Sequence, residues 1–137
     1  MGATLGLPDL PGTTHETVQV MMPLIAAGAD AERAIWRAPK PCRISNIYVT
    51  WHAAIVGGAD KFAGYVNKIS AAGAAVWGFG SRAHTAGLDE TANVPRNIPN
   101  AVNMDMVAGE VVTYLSDQIG AGLDDPSRVV QFDVQWT

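Results

Sequence analysis

The residues of this chain that could do chemistry are three histidines, one cysteine and a scatter of aspartates, and their spacing limits what they can do. His15, His52 and His84 fall on a leading arm, a long strand and a long polar loop. No two stand at a His-x-His or His-x-x-x-His interval, which would bring two imidazoles to one ion, so spacing predicts no metal centre. Asp117, Asp124 and Asp125 share one loop and offer the oxygen ligands calcium takes. The EF-hand pattern is missing, however, and Asp124-Asp125-Pro126 reads as a turn opener. Cys42 lies between Pro41 and Arg43, where a guanidinium would favour the thiolate. With no His-Asp set beside it in sequence, it reads as a small strand-edge residue. Gly57-Gly58 and Gly120-Ala121-Gly122 have neither the lysine nor the following helix of a phosphate loop. Gly80-Ser81-Arg82 does not make a Gly-x-Ser-x-Gly nucleophile elbow. Carboxylate pairs for glycoside hydrolysis are set in three dimensions and stay open at this stage. Trp36, Trp51, Trp77 and Trp136 could build a sugar platform, but all four sit on predicted strands and read as core. The reading is a chain with no catalytic residue, no metal and no cofactor.

The elements that would position these residues are strands. Val130, Phe132, Val134 and Trp136 alternate with Gln131, Asp133 and Gln135, and Val102, Met104 and Met106 alternate with Asn103 and Asp105. A period of two buries one face and wets the other. Trp136 is therefore expected in the core of a closing strand paired inside a sheet. Further strands are predicted over 18–25, 34–38, 43–55, 62–69, 76–81 and 111–115. In 43–55, Ile47, Val49, Trp51, Ala53 and Ile55 share one face and Ile44, Asn46, Tyr48, Thr50 and His52 the other. Large groups on both faces predict a central strand. Gly78 and Gly80, opposite Trp77 and Phe79, predict a close approach by another group. Turns fall at 26–30, 56–60, 70–73 and 107–110. Gly73 and Gly78 argue against a helix over the alanine-rich run Ala71 to Ala75.

About eight strands with regular turn punctuation predict an all-β fold, a single β-sandwich or jelly-roll-like domain over 17–137. The 137 residues suit one domain, which at this size buries roughly 68% of the surface its unfolded chain exposes. A formal net charge of −4, with the nine Lys and Arg scattered, argues against nucleic acid. No apolar run approaches the roughly 20 residues of a membrane span, so no membrane partner is expected. The lone cysteine excludes an intrachain disulfide and suits a reducing compartment or simple indifference to redox. The first residues lack the basic and apolar regions of a secretion signal. A charged fraction of 16% is low, which fits a surface that meets other subunits.

Two segments stand outside the strand pattern. Residues 1–16 read as an extended arm, denied a helix by Gly2, Gly6, Pro8, Pro11 and Gly12 and carrying Leu5, Leu7 and Leu10. A solvated tail gains nothing from leucine, so an arm laid across a neighbouring surface is one reading and a free tail the other. The segment 82–101 shows no period and is longer than the roughly 12–15 residues usual for a compact domain's loops. His84, Asp89, Glu90, Arg96 and Asn97 on it, with the three arm leucines, are the candidate contact residues.

The run Ile35-Trp36-Arg37-Ala38-Pro39-Lys40-Pro41-Cys42-Arg43-Ile44 leads into the long strand. Asn67-Lys68, Val107-Ala108-Gly109-Glu110-Val111-Val112, Gly120-Ala121-Gly122-Leu123 and Asp125-Pro126 follow. From about Ile35 to Val134 this pattern resembles the small β-sandwich decoration, or cement, proteins of tailed bacteriophages. The resemblance implies a structural virion protein on the outer capsid surface, assembled in the host cytoplasm. It also implies contacts to the major capsid protein, a homo-oligomer with a trimer favoured, and no catalytic residues. Competing expectations are a carbohydrate-binding or fibre- and tail-associated module, which would expose aromatic rings in a groove, and a sandwich hydrolase with convergent acids.

Overall fold

The computed structural model describes residues 15–73, 75–83, 89–98 and 105–137. Within them the chain forms two antiparallel sheets packed face to face. The strands are β1 (His15–Met22), β2 (Ala31–Arg37), β3 (Cys42–Trp51), β4 (Lys61–Ile69), β5 (Ala75–Ala83), β6 (Arg96–Asn97), β7 (Asp105–Met106), β8 (Val111–Ile119) and β9 (Arg128–Trp136). One sheet has the order β1-β9-β3, with the short β6 and β7 both paired to the far edge of β3. The other has the order β2-β8-β4-β5. Helix is absent among the described residues. The expected β-sandwich is therefore the fold, and β3 is central as expected, with β9 on one side and β6 and β7 on the other.

The core lies between the sheets. Val130, Phe132 and Val134 of β9 and Ile44, Ile47, Val49 and Trp51 of β3 are at most 1% exposed. Phe62 and Val66 of β4 and Val112 and Tyr114 of β8 meet them from the second sheet. The outer face of the first sheet is polar and cross-linked between strands. The Thr17 hydroxyl donates to Asp133 (2.9 Å), the Asn46 amide donates to the other oxygen of Asp133 (2.9 Å), and the Gln19 amide donates to Gln131 (2.8 Å). This is the wet half of the alternation the sequence displays.

Several expectations change in detail. Strict alternation puts Ile44 on the face opposite Ile47, yet both are fully buried. The β3–β9 register slips between Ser45 and Tyr48, and Asn46 sits there at φ +50°. A bulge inserts one residue and swaps the side-chain phase, so Cys42 and Ile44 before it and Ile47, Val49 and Trp51 after it all point inward. Asparagine tolerates the left-handed backbone this requires. β1 starts at His15, so His15 and Glu16 belong to the sheet, paired with Gln135 and Val134, rather than to the arm. β3 ends at Trp51, and Ile55 returns only as an isolated bridge to Glu90. The segment 82–101 is not structureless: Arg82 and Ala83 finish β5, and Arg96–Asn97 pair with β3. Trp136 is half-buried at the rim of the core, its ring 6.2 Å from Trp36, with the Lys40 ammonium 5.0 Å from its centroid. Side chains of residues 75–79 and 81–83 lie outside the described ones, and so does the expected Trp77–Phe79 face. The close approach at a strand glycine is seen on β4, where a Cβ on Gly64 would stand 2.6 Å from the Tyr114 hydroxyl oxygen.

Candidate interaction surface

One end of the sandwich is built from four connections: 23–30, 52–60, 89–95 and 120–127. Beneath them is a dry polar cluster that no spacing announced. Asp125 and Arg128 are both fully buried. Asp125 Oδ1 accepts from Trp51 Nε1 (2.8 Å) and Arg128 Nε (2.9 Å), and Oδ2 accepts from the Tyr114 hydroxyl (2.7 Å). The Arg128 guanidinium also donates to the carbonyls of Asp125 (2.8 Å) and Pro23 (3.2 Å) and lies 4.7 Å from the Tyr114 ring centroid. Burial first, then the Asp125 charge, pushes the Tyr114 phenol well above its usual range. Each charge and each donor has a partner, which is what lets such a cluster stay dry. Asp125 is thus an internal anchor; its neighbour Asp124 turns outward and accepts from Ala27 N (2.9 Å).

The connections above the anchor are held by carboxylates on backbone N–H groups. Asp60 takes Ala121 N (2.9 Å), Asp89 takes Gly57 N (2.8 Å) and Asp30 takes Gln118 N (2.7 Å). Gln118 Oε1 takes Leu123 N (2.9 Å) and Gly28 N (3.3 Å). Gly122, at φ +78°, leaves room for that amide, since a Cβ there would lie 2.6 Å from Gly28 N. Partial burial, followed by the charge of Asp30, raises the Asp117 carboxyl above its ordinary value. Asp124 and Asp125 thus accept from protein donors, in line with the turn reading, while Asp117 lies in β8 beside Asp30. Among the described residues no group of three or more His, Cys, Asp or Glu could hold a metal.

Exposed apolar side chains sit on this same end: Met21 (74% exposed), Leu24 (53%) and Val56 (72%). Leu24, Ala53, Ala54, Val56, Leu123 and Pro126 line an open groove of about 410 Å³. His52 Nδ1 lies 3.1 Å from Ser127 Oγ on the surface nearby. The Asp125 carboxylate is engaged by Trp51, Tyr114 and Arg128.

The candidate contact residues separate. Leu5, Leu7, Leu10 and His84 lie outside the described residues. Asp89 is exposed and fixes the 56–58 turn. Glu90 is 2% exposed, bridges Ile55 through its backbone and pairs with Arg96 at 3.2 Å, so its carboxylate faces inward and is withdrawn from the surface set. Arg96 is half-buried by that pairing. Asn97 is exposed, its amide donating to the Ile47 carbonyl (3.4 Å).

At the opposite end, the structure joins motifs that stand far apart in the chain. Lys68 points inward in phase with Phe62 and Val66, and its ammonium donates to the Asp105 carbonyl (3.0 Å) beside Glu110 (3.6 Å). Glu110 also accepts from Val107 N (2.7 Å), closing the 107–110 turn. Cys42 is buried here, and burial, then Glu110 and Asp105, raises its thiol, so the thiolate that a neighbouring arginine would favour is disfavoured. Arg43 instead points out to Asp105 (2.8 Å). Trp51 is buried, and Trp36 stacks edge-on against Phe132 at 5.6 Å. Trp51 therefore offers no face to a sugar, while Trp36 is half-buried.

These features define a two-sheet antiparallel β-sandwich with one braced, apolar end. No family profile and no curated protein matches the chain. Among solved structures, it is similar to a chain of the cyanophage Pam1 capsid asymmetric unit, at 13% identity and a TM-score of 0.54. That match covers 99% of this chain and 95% of that one, so the two are of nearly equal length and share the fold. A weaker similarity, with a TM-score of 0.42 and 15% identity, reaches infectious bursal disease virus, Gx strain, covering 90% of this chain and 32% of that one.

Proposed function

We propose that this chain is a structural virion protein that decorates the outer surface of a tailed-phage head and ties neighbouring major capsid proteins together. The observation that carries the reading is the whole-length fold likeness to a chain of similar size in the cyanophage Pam1 capsid asymmetric unit. The strand order adds support. β1-β9-β3 with β6 and β7 sharing one place, facing β2-β8-β4-β5, is the order of a jelly roll, an architecture of viral capsid domains among others. The physical make-up suits the role. A protein that reinforces a shell needs a rigid body, supplied here by the Asp125 anchor and the aspartate-braced turns. It also needs cohesive surfaces, supplied by the apolar groove and the leucine-bearing arm. Many copies around a symmetry axis, with a trimer favoured, gain avidity from modest contacts. Nucleic acid and membrane play no part in this reading, and no catalytic step or cofactor is invoked.

The test is attachment. Purified chain is added to heads of the cognate phage assembled without it, and bound protein is measured after sedimentation. Saturable binding at a fixed ratio to the major capsid protein is the expected result. Deleting residues 1–14 should keep a cooperative melt and reduce retention at least tenfold, about 1.4 kcal/mol. Heads that take up no protein would overturn the reading.

A further inference from the structure

We infer that the groove at the braced end receives the arm of a second copy of this chain, with Leu5, Leu7 and Leu10 as the side chains that fill it. The inference goes beyond decoration and does not depend on a capsid. The groove's walls are apolar, from Leu24, Ala53, Ala54, Val56, Leu123 and Pro126. Its one charged lining group, Asp124, already accepts from Ala27 N. Residues 1–14 match it chemically: their only charged side chain is Asp9, and the leucines recur at positions 5, 7 and 10. Leu24 and Val56 stand exposed where a soluble monomer gains nothing from them.

Geometry selects a neighbour's arm over the chain's own. The arm joins β1 at His15, beside Gln135, while the groove lies past the other end of the strand, beyond Met22. Eight strand residues separate the two by roughly 27 Å. An arm continuing the line of β1 leads away from its own groove. Were it to double back at Pro11-Gly12, the tightest turn its sequence offers, Leu10 would stand level with Thr13 and Leu5 with Val18. Leu5 would then stop about six residues, roughly 20 Å, short of Leu24. Extended, the roughly 14 residues of the arm reach roughly 46 Å, enough to cross to an adjacent copy. Each copy then gives one arm and takes one, a heterologous contact that closes into a ring if the rotation allows.

The experiment uses full-length protein and analytical ultracentrifugation across a hundredfold concentration range. The wild type should sediment as a discrete oligomer. Leu5→Asp/Leu7→Asp/Leu10→Asp in one chain, and Leu24→Asp/Val56→Asp in another, should each weaken association at least tenfold while keeping the wild-type melting temperature within a few degrees. An equimolar mixture of the two variants restores one intact arm–groove contact and should give a heterodimer that neither forms alone. Ala108→Asp, in the separate cleft of about 460 Å³ beside Arg37 and Pro39, should leave association unchanged. A wild-type monomer throughout the range, oligomers that persist in both variants, a mixture that stays monomeric, or a loss of association in Ala108→Asp would each overturn the inference. Failure to bind heads, with self-association intact, would overturn only the decoration reading.

Discussion

Replacing Asp125 by asparagine tests the dry anchor most directly. The carboxylate is fully buried and its negative charge faces a fully buried guanidinium at 2.9 Å. Asparagine keeps the shape and an oxygen for Trp51 and Arg128, but leaves the Arg128 charge uncompensated. Removing one partner of a buried pair costs about 3–5 kcal/mol. By contrast, the Arg43–Asp105 pair, with both side chains more than half exposed, is screened by solvent and contributes little. Against a total stability of roughly 5–15 kcal/mol, the loss in Asp125→Asn is large. At about 4 °C per kcal/mol for a domain of this size, the melting temperature should fall by roughly 12–20 °C. The assay is urea unfolding at pH 7, followed by tryptophan fluorescence and by circular dichroism. Asp125→Asn, Arg128→Met and the double variant close a thermodynamic cycle. If the two side chains form one unit, the double variant should cost less than the sum of the singles by about 1–3 kcal/mol. A single-variant loss under about 1 kcal/mol, or additivity within about 0.5 kcal/mol, would refute a dry, coupled cluster.

Three further outcomes follow from the same packing. Gly64→Ala puts a methyl 2.6 Å from the Tyr114 hydroxyl, so it should cost about 1–3 kcal/mol by overpacking; a neutral effect in denaturant unfolding would show that Tyr114 yields freely. Because the Tyr114 phenol is raised well above its ordinary value, it stays neutral in the fold after the unfolded tyrosine, near pH 10, has ionised. Its contribution is then complete below about pH 10 and declines as pH rises beyond it; Tyr114→Phe should lose less melting temperature than wild type between about pH 9 and 11, and equal losses would count against its burial. Trp136→Ala, at the half-buried rim, should cost about 2 kcal/mol, near half the roughly 3–5 kcal/mol of a fully buried aromatic; a loss above about 3 kcal/mol in urea unfolding would put the ring deeper than its contacts with Trp36 and Lys40 indicate.

Strand content and the apolar face of β9 were legible because alternation is local: Val130, Phe132 and Val134 declare one face without reference to anything distant. The turns at Gly28, Gly73 and Gly109 were legible for the same reason, each taking a positive φ that glycine accepts. β6 was missed because two residues show no period, and its pairing exists only where β3 leaves an edge free. The inward turn of Ile44 was missed because a bulge changes the phase of a strand without changing its composition. Asn46 was the one available signal.

Charged residues mark where sequence reading stops. Asp125 reads as part of a turn opener, and nothing in the spacing of Arg128, Lys68 or Glu110 marks them as buried. Period two placed Lys68 in phase with the core, but whether a buried charge is tolerable depends on a partner, Glu110, that lies far along the chain. The same holds for Trp51 and Tyr114, whose polar atoms converge on Asp125 from strands of opposite sheets. Sequence alone therefore determined the class of fold, most strand positions, and the leucine-bearing segment before β1. Tertiary structure decided which charges are internal, which aspartates brace turns, and where the exposed apolar groove lies. Hydrophobic alternation is written between neighbours in the chain, whereas hydrogen-bond satisfaction and surface shape are set by residues that meet only once the two sheets have packed.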